Sequence, residues 1–160
     1  MFPADPAAPA EDDRDGRLAF EKLLAELSSR FIDLVPEAVD REIEDAMARV
    51  CGPIGIDYCV LWQWSNLTPG VLTPTHIYHS HEELRAAERP RQVQFPWVES
   101  ELRAGRTVVL PTVEAFPAEA ALDRGNAIRL GIRSNLTLPL AVGGEPPVGA
   151  LAFNVECHTV

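Results

Sequence analysis

The stretch that decides the fold runs from Ile132 to Phe153. It reads Ile132-Arg133-Ser134-Asn135-Leu136-Thr137-Leu138-Pro139-Leu140-Ala141-Val142, then Gly143-Gly144-Glu145-Pro146-Pro147, then Val148-Gly149-Ala150-Leu151-Ala152-Phe153. In the first part Ile132, Ser134, Leu136, Leu138, Leu140 and Val142 fall on one face. Arg133, Asn135, Thr137, Pro139 and Ala141 fall on the other. A period of two held over this length predicts a β-strand. Gly143-Gly144 can take the positive φ that a reversal needs, so a second strand is expected to return antiparallel. That second strand, Val148 to Val155, is apolar on both faces, which predicts a sheet covered on both sides.

Working upstream, Ala118 to Leu130 reads as a helix with Gly131 at its C-terminal cap. Pro111 to Pro117 is loop, and Thr107 to Leu110 is a short β-branched strand. Phe95-Pro96-Trp97 opens another helix, with Pro96 in its first turn and Gly105 closing it. Ser80-His81-Glu82-Glu83 fits a capping box before a short helix from Glu82 to Arg89, stopped by Pro90. Tyr58, Val60, Trp62 and Trp64 alternate with Cys59, Leu61 and Gln63, so Asp57 to Trp64 is a strand. Asn66 to Gly70 is turn-like, and Val71 to His79 is the next strand. Pro74 cannot donate to a ladder, which places that strand at an edge.

Nearer the start, Phe20, Leu23, Leu24, Leu27, Phe31 and Leu34 recur at helical spacing and predict an amphipathic helix from Arg17 to Leu34. Pro36 opens a second helix whose stripe is Val39, Ile43, Met47 and Val50, with Gly52-Pro53 as its end. Residues 1 to 16 combine three prolines with Glu11, Asp12, Asp13 and Asp15, and read as a disordered leader or linker. Residues 17 to 160 then form one domain. The element order predicts an α+β fold, with an antiparallel sheet, the N-terminal helix pair on one face, and crossing helices and loops on the other.

Composition narrows the functions. The chain has 160 residues, 46% of them hydrophobic, and a mean hydropathy of -0.04. No apolar run approaches the ~20 residues of a membrane helix. The start lacks a secretory pattern, so the cytoplasm is the expected location. A formal charge of -10 opposes binding to nucleic acid and to anionic lipid. Cys51, Cys59 and Cys157 do not make a disulfide framework and read as free thiols.

The hairpin is also where a family resemblance lies. Gly131-Ile132, Ser134, Leu136, Pro139-Leu140, Gly143-Gly144, Val148-Gly149, Leu151 and Phe153 resemble the late-strand signature of GAF domains. Phe95-Pro96-Trp97, Leu122-Asp123-Arg124 and Leu130 to Leu136 are most similar to the branch found in bacterial sensor kinases and formate-hydrogenlyase activator-like regulators. The resemblance covers about residues 18 to 156. It implies a sensory or regulatory module that binds a small-molecule effector and relays to an output domain, a kinase or transcriptional activator. It implies a homodimer through the N-terminal helices. The helix that usually follows the last strand of such domains is missing before Val160, which reads as a truncated or short stand-alone module. The competing reading is a dimerisation and coupling module without a ligand.

A GAF ligand site lies between the sheet and the crossing segments, which here run from Val71 to Leu130. The crossing region offers His76, Tyr78, Phe95 and Trp97. The sheet offers Trp62 and Trp64, together with Asn135 and Thr137 from the more polar face of the long strand. Leu136, Leu138 and Leu140 suit the helix pair. Pockets of this kind are apolar and aromatic with a few placed polar groups, although aromatic residues also dominate cores. His76, His79 and His81 cluster locally, but no ligand spacing accompanies them and no metal or other cofactor is expected. Cys51 and Cys59 are expected to be buried structural thiols. Asp123 is expected at a helix surface or as a loop anchor. No nucleophile and base pair is readable, so the module is not expected to be an enzyme.

Overall fold

A computed structural model describes residues 9–65, 72–81 and 94–156 of the chain. The described residues hold four α-helices: α1 (Pro9–Ile32), α2 (Val39–Ile54), α3 (Pro96–Arg103) and α4 (Ala121–Arg129). They hold five strands: β1 (Tyr58–Trp64), β2 (Leu72–His79), β3 (Val108–Leu110), β4 (Ile132–Leu140) and β5 (Gly149–Glu156). The strands form one sheet in the order β2-β1-β5-β4-β3, and every pairing is antiparallel. This is the expected α+β architecture, with β2 at an edge as Pro74 requires. The turn at Asn66 to Gly70, the helix expected from Glu82 to Arg89, and Cys157 lie outside the described residues.

Two compact units divide the chain, one ending at Ala46 and the other beginning at Met47. In the first, α1 starts at Pro9, inside the stretch read as a leader. Arg30 near the end of α1 pairs with Glu42 at 2.7 Å and Asp45 at 2.8 Å on α2. No helix among the described residues is long and apolar enough to cross a membrane.

The second unit carries the sheet. The end of α2 departs from the expected stop: the helix continues through Gly52-Pro53 to Ile54. Gly55, with φ of +68°, is the residue that ends it. Gly55 N–H donates to Gly52 O at 3.2 Å, and Ile56 N–H to Cys51 O at 3.1 Å. That pair of bonds is a Schellman cap, and it satisfies carbonyls the helix leaves open. The same device closes α3. Gly105 donates to Leu102 O at 2.9 Å and Arg106 to Glu101 O at 2.9 Å.

Cross-strand register sorts the sheet into two faces, because side chains alternate along each strand and partners share a face. On one face, one row is Tyr78, Cys59, Phe153, Leu136 and Val109. The next row on that face is His76, Leu61, Leu151 and Leu138. The Cys59 thiol hydrogen-bonds with Cys51 of α2, and both are fully buried, so the end of α2 packs on this face at Cys59. The opposite face has the row His79, Tyr58, Asn154, Asn135 and Leu110, and the row Ile77, Val60, Ala152, Thr137 and Val108.

Two irregularities adjust the simple alternation. A shift between Ile132 and Ser134 places Ile132 opposite Glu156 and Ser134 opposite Val155. Ile132 therefore lies on the Asn154 face, not with Leu136 as strict alternation predicts, because a bulged residue reverses the parity beyond it. The β4–β5 connection is also longer than a two-residue turn. Val148 N–H donates to Leu140 O at 2.7 Å, and Gly143 and Gly144 sit at φ +59° and +81° at its tip.

Candidate functional site

On the Asn154 face the sheet does not fill its own floor. The central strand β5 presents Ala150, Ala152 and Asn154 here, and Leu151 and Phe153 on the other side. Ala152 leaves a depression where its partners Val60 and Thr137 carry larger groups. The segments running from Phe95 to Leu130 close over it. A cavity of about 120 Å³ remains. Its floor comes from Tyr58, Val60, Trp62, Thr137, Ala152 and Asn154, and its roof from Phe95, Val98, Glu99, Leu102 and Phe116. Leu72 of β2 and Leu110 of β3 reach it from either side.

The floor is polar in a defined line. Thr137 Oγ1 donates to Asn135 Oδ1 at 2.8 Å, and Asn135 Nδ2 donates to Asn154 Oδ1 at 2.8 Å. Asn154 Nδ2 continues to the Tyr58 carbonyl at 3.3 Å. Thr137 and Asn154 are buried, so each needs such partners, and the chain of bonds fixes which way each amide faces. Most of the remaining wall is apolar or aromatic, with Glu99 and Arg133 as its charged members.

The roof is anchored by Asp123, which is fully buried. Its carboxylate accepts the backbone N–H of Trp97 at 3.3 Å and of Val98 at 3.0 Å. Phe95, the residue before α3, makes no side-chain cap of its own. Asp123 thus caps α3 from a neighbouring helix, satisfying first-turn donors and placing a negative charge at the positive end of the helix dipole. Of the two roles expected for Asp123, anchoring is the one observed, and the surface role is not. Asn126 adds a bond from Nδ2 to Gln94 O at 2.7 Å.

Glu99 is the carboxylate among the described residues that lines the cavity. Burial pushes its carboxyl above the ordinary value; Arg103 opposes that and Asp123 adds to it. Arg103 is turned over the Trp64 ring, 3.9 Å from its centroid. Arg133, at the bulge of β4, lines the cavity from an exposed position.

The eight residues expected to form the site divide evenly. Trp62, Phe95, Asn135 and Thr137 line the cavity. Trp64 is on the same face but is covered by Arg103. Trp97 stands one layer back, edge-on to Phe116 at 6.0 Å between ring centroids. His76 and Tyr78 are corrected. Their partners are Leu61 and Cys59, so both lie on the helix-covered face, away from the cavity. His79, by contrast, falls on the cavity face and stacks with Tyr58 at 4.7 Å. Among the described residues no cluster could hold a metal ion.

Several lining residues escaped the sequence reading. Asn154 carried a signal, since it is the amide in an otherwise apolar strand. Glu99 carried one too, because Leu102 follows Val98 by four residues and Glu99 by three, the spacings that neighbour on a helix. Tyr58 and Val60 follow from Trp62 by alternation.

The GAF domain family model matches residues 39–155. No curated protein matches the chain in sequence. Among solved structures, the chain is similar to the phycocyanobilin-bound GAF domain of a cyanobacterial phytochrome, with a TM-score of 0.64 at 15% identity over 88% of this chain and 82% of that one. It is similar to a Staphylococcus aureus NreA protein mutated in its nitrate-binding site, with a TM-score of 0.56 at 16% identity over 75% and 88%. It is also similar to the GAF region of a membrane protein of Geobacter sulfurreducens, with a TM-score of 0.55 at 15% identity over 85% and 80%. At such identities these structures speak for the fold, and the family match does the rest: this chain belongs to the GAF domain family, whose members are sensory and regulatory domains.

Proposed function

We propose that this chain is the sensory module of a bacterial signal-transduction protein, that it binds a small molecule between the sheet and the segments over it, and that it relays occupancy to an output domain. The observation that carries the reading is the cavity itself. It combines apolar and aromatic walls with an ordered line of polar groups, the composition that ligand pockets share. A ligand bridging floor and roof would favour the arrangement in which α3 and α4 sit closed, and the response can be no larger than its difference in affinity for the two states. In this reading the module works in the cytoplasm, carries no catalysis of its own, and serves a kinase or transcriptional activator.

Size constrains the guest. An apolar cavity of about 150 Å³ holds benzene, and the present one is about 120 Å³. The bilin of the phytochrome neighbour is far larger than that. A guest on the scale of the nitrate named for NreA, or of a small organic metabolite, fits. The test is a thermal-shift screen of small metabolites on the 160-residue chain, followed by structure determination with any hit. A guest at about 100 times its dissociation constant should add about 2.7 kcal/mol to stability. A screen without hits, together with a crystal structure in which the space is filled by the chain's own side chains, overturns the reading.

A second reading has an observation of its own. Phe20, Leu24 and Phe31 recur along α1 and are exposed. This supports the N-terminal helix as a homodimer seam, with the domain acting as a coupling module. Sedimentation decides it: Phe31→Asp should turn a dimer into a monomer, and a wild-type chain that is already monomeric removes the idea.

A further inference from the structure

The proposed ligand site can be taken one step further, to the charge of its guest, and this step rests on the sensory reading above. The groups that could set that charge are Glu99 and Arg133 on the wall, and Arg103 and Asp123 beside it. Tyr58 is the other titratable side chain on the wall. Arg103 lies over the Trp64 ring, outside the wall, and its charge still acts on Glu99, more strongly than that of Asp123. Asp123 is committed to two backbone N–H groups, but its charge remains close enough to act on Glu99. Arg133 is exposed, where solvent weakens its field. Glu99 is part-buried and lines the hollow, and its carboxylate makes no hydrogen bond among the described residues. The wall of the hollow therefore sets a part-buried carboxylate among aromatic rings.

We propose that the hollow selects a small organic ammonium ion, with the Glu99 carboxylate as its partner and the rings of Tyr58, Trp62 and Phe95 around its charge. An ionised carboxylate on an apolar wall lacks the hydration it has in water, and a cationic guest restores what burial removes. Hydrogen bonds between two charged groups are about twice as strong as neutral ones. Ring faces attract a cation further when water is excluded. The guest's apolar body would lie against Val98 and Leu102. An anion of equal size would meet the Glu99 carboxylate on the wall, while Arg103 is held over Trp64 and Arg133 is solvated.

The test uses three probes of one shape: isobutylammonium, isobutanol and isobutyrate, each titrated into the full chain by calorimetry at neutral pH. Isobutylammonium should bind about tenfold or more tighter than isobutyrate, with isobutanol between them. In Glu99→Gln the advantage of the ammonium over the alcohol should vanish. A tighter isobutyrate, or an order unchanged by Glu99→Gln, overturns the assignment. The wild-type pH profile gives a second measurement, independent of how the variant folds. An alkylammonium titrates near ~10.4, as lysine does, and stays charged throughout the acid range. Its affinity should fall as acid protonates Glu99, and an affinity flat with pH overturns the proposal. If none of the three binds while the metabolite screen finds a guest, the ammonium assignment fails and the sensory reading stands. If the screen is also empty, both fail.

Discussion

The two faces of the sheet are built from the same strands and do opposite things with them. Along β5, Leu151 and Phe153 face the last turns of α2, while Ala150, Ala152 and Asn154 face the crossing segments. On the first face two small residues, Cys51 and Cys59, meet thiol to thiol with no exposed surface. The hydrogen bond with Cys51, and burial after it, push the Cys59 thiol far above its ordinary value. That is a dry contact, suited to packing. On the second face the small Ala152 borders a cavity, whose lining keeps a ladder of amides and a carboxylate. Close packing is the default in a protein interior, so the unfilled face is the one that calls for a functional reason.

The largest expected effect removes the comparison altogether. Gly149 lies where β5 meets β1, opposite Gln63, and a Cβ there would fall on the Trp62 carbonyl oxygen. The obstruction is backbone, which cannot swing aside as a side chain can. Gly149→Ala should cost about 3 kcal/mol or leave the chain unfolded, with both faces lost together. Chemical denaturation measures it; a loss below 1 kcal/mol would mean the strands part there at little cost.

Next comes a change that should strike one face alone. Asp123→Ala leaves the N–H groups of Trp97 and Val98 without their acceptor. Loss of a cap together with buried donors should cost about 2 kcal/mol. Hydrogen exchange should rise in α3 and α4 while the amides of β1 and β5 stay protected. Equal loosening on both sides of the sheet would refute the separation of the faces.

A matched pair of enlargements then compares the faces directly. Cys59→Leu forces extra volume into the contact with Cys51 and should cost roughly 1–3 kcal/mol. Ala152→Leu directs a similar side chain into the hollow and should cost less than 1 kcal/mol while abolishing the response to any guest. Equal costs would show that the space over Ala152 is not available to a side chain.

The fold was largely legible in the sequence because its signals were local. Alternation marked β1, β2 and β4, prolines placed the start of α3 and the edge role of β2, and Gly131 ended α4. The errors arose where a local signal had two meanings. Gly52-Pro53 reads as a stop, but proline near a helix end loses one hydrogen bond only, and Gly55 supplies the positive φ that a cap requires. The site was half legible. Asn135 and Thr137 were visible as the polar face of a strand. The assignment of His76 and Tyr78 failed because a β2 residue's face depends on its register against β1, where a shift falls between Leu61 and Trp62. The hollow itself depends on the small and large alternation of Ala150-Leu151-Ala152-Phe153, which hydrophobicity alone does not distinguish.

The smallest expected effect concerns Glu99 in the absence of any guest. Burial raises its carboxyl above the ordinary value, so the folded state holds the proton more firmly than the unfolded state does. Such a group contributes stability that is fully present below its unfolded value and is lost as pH rises through the folded one. The ionised form of Glu99 is therefore a mild liability to the fold, reduced by the water it still meets. Glu99→Gln should melt at the same temperature as wild type in acid and slightly above it at neutral pH. A melting curve at each pH checks the sign. A variant less stable than wild type at neutral pH would mean that the carboxylate is already held by a partner inside the fold. Its presence on that wall would then be structural, and the difference between the two faces would reduce to packing.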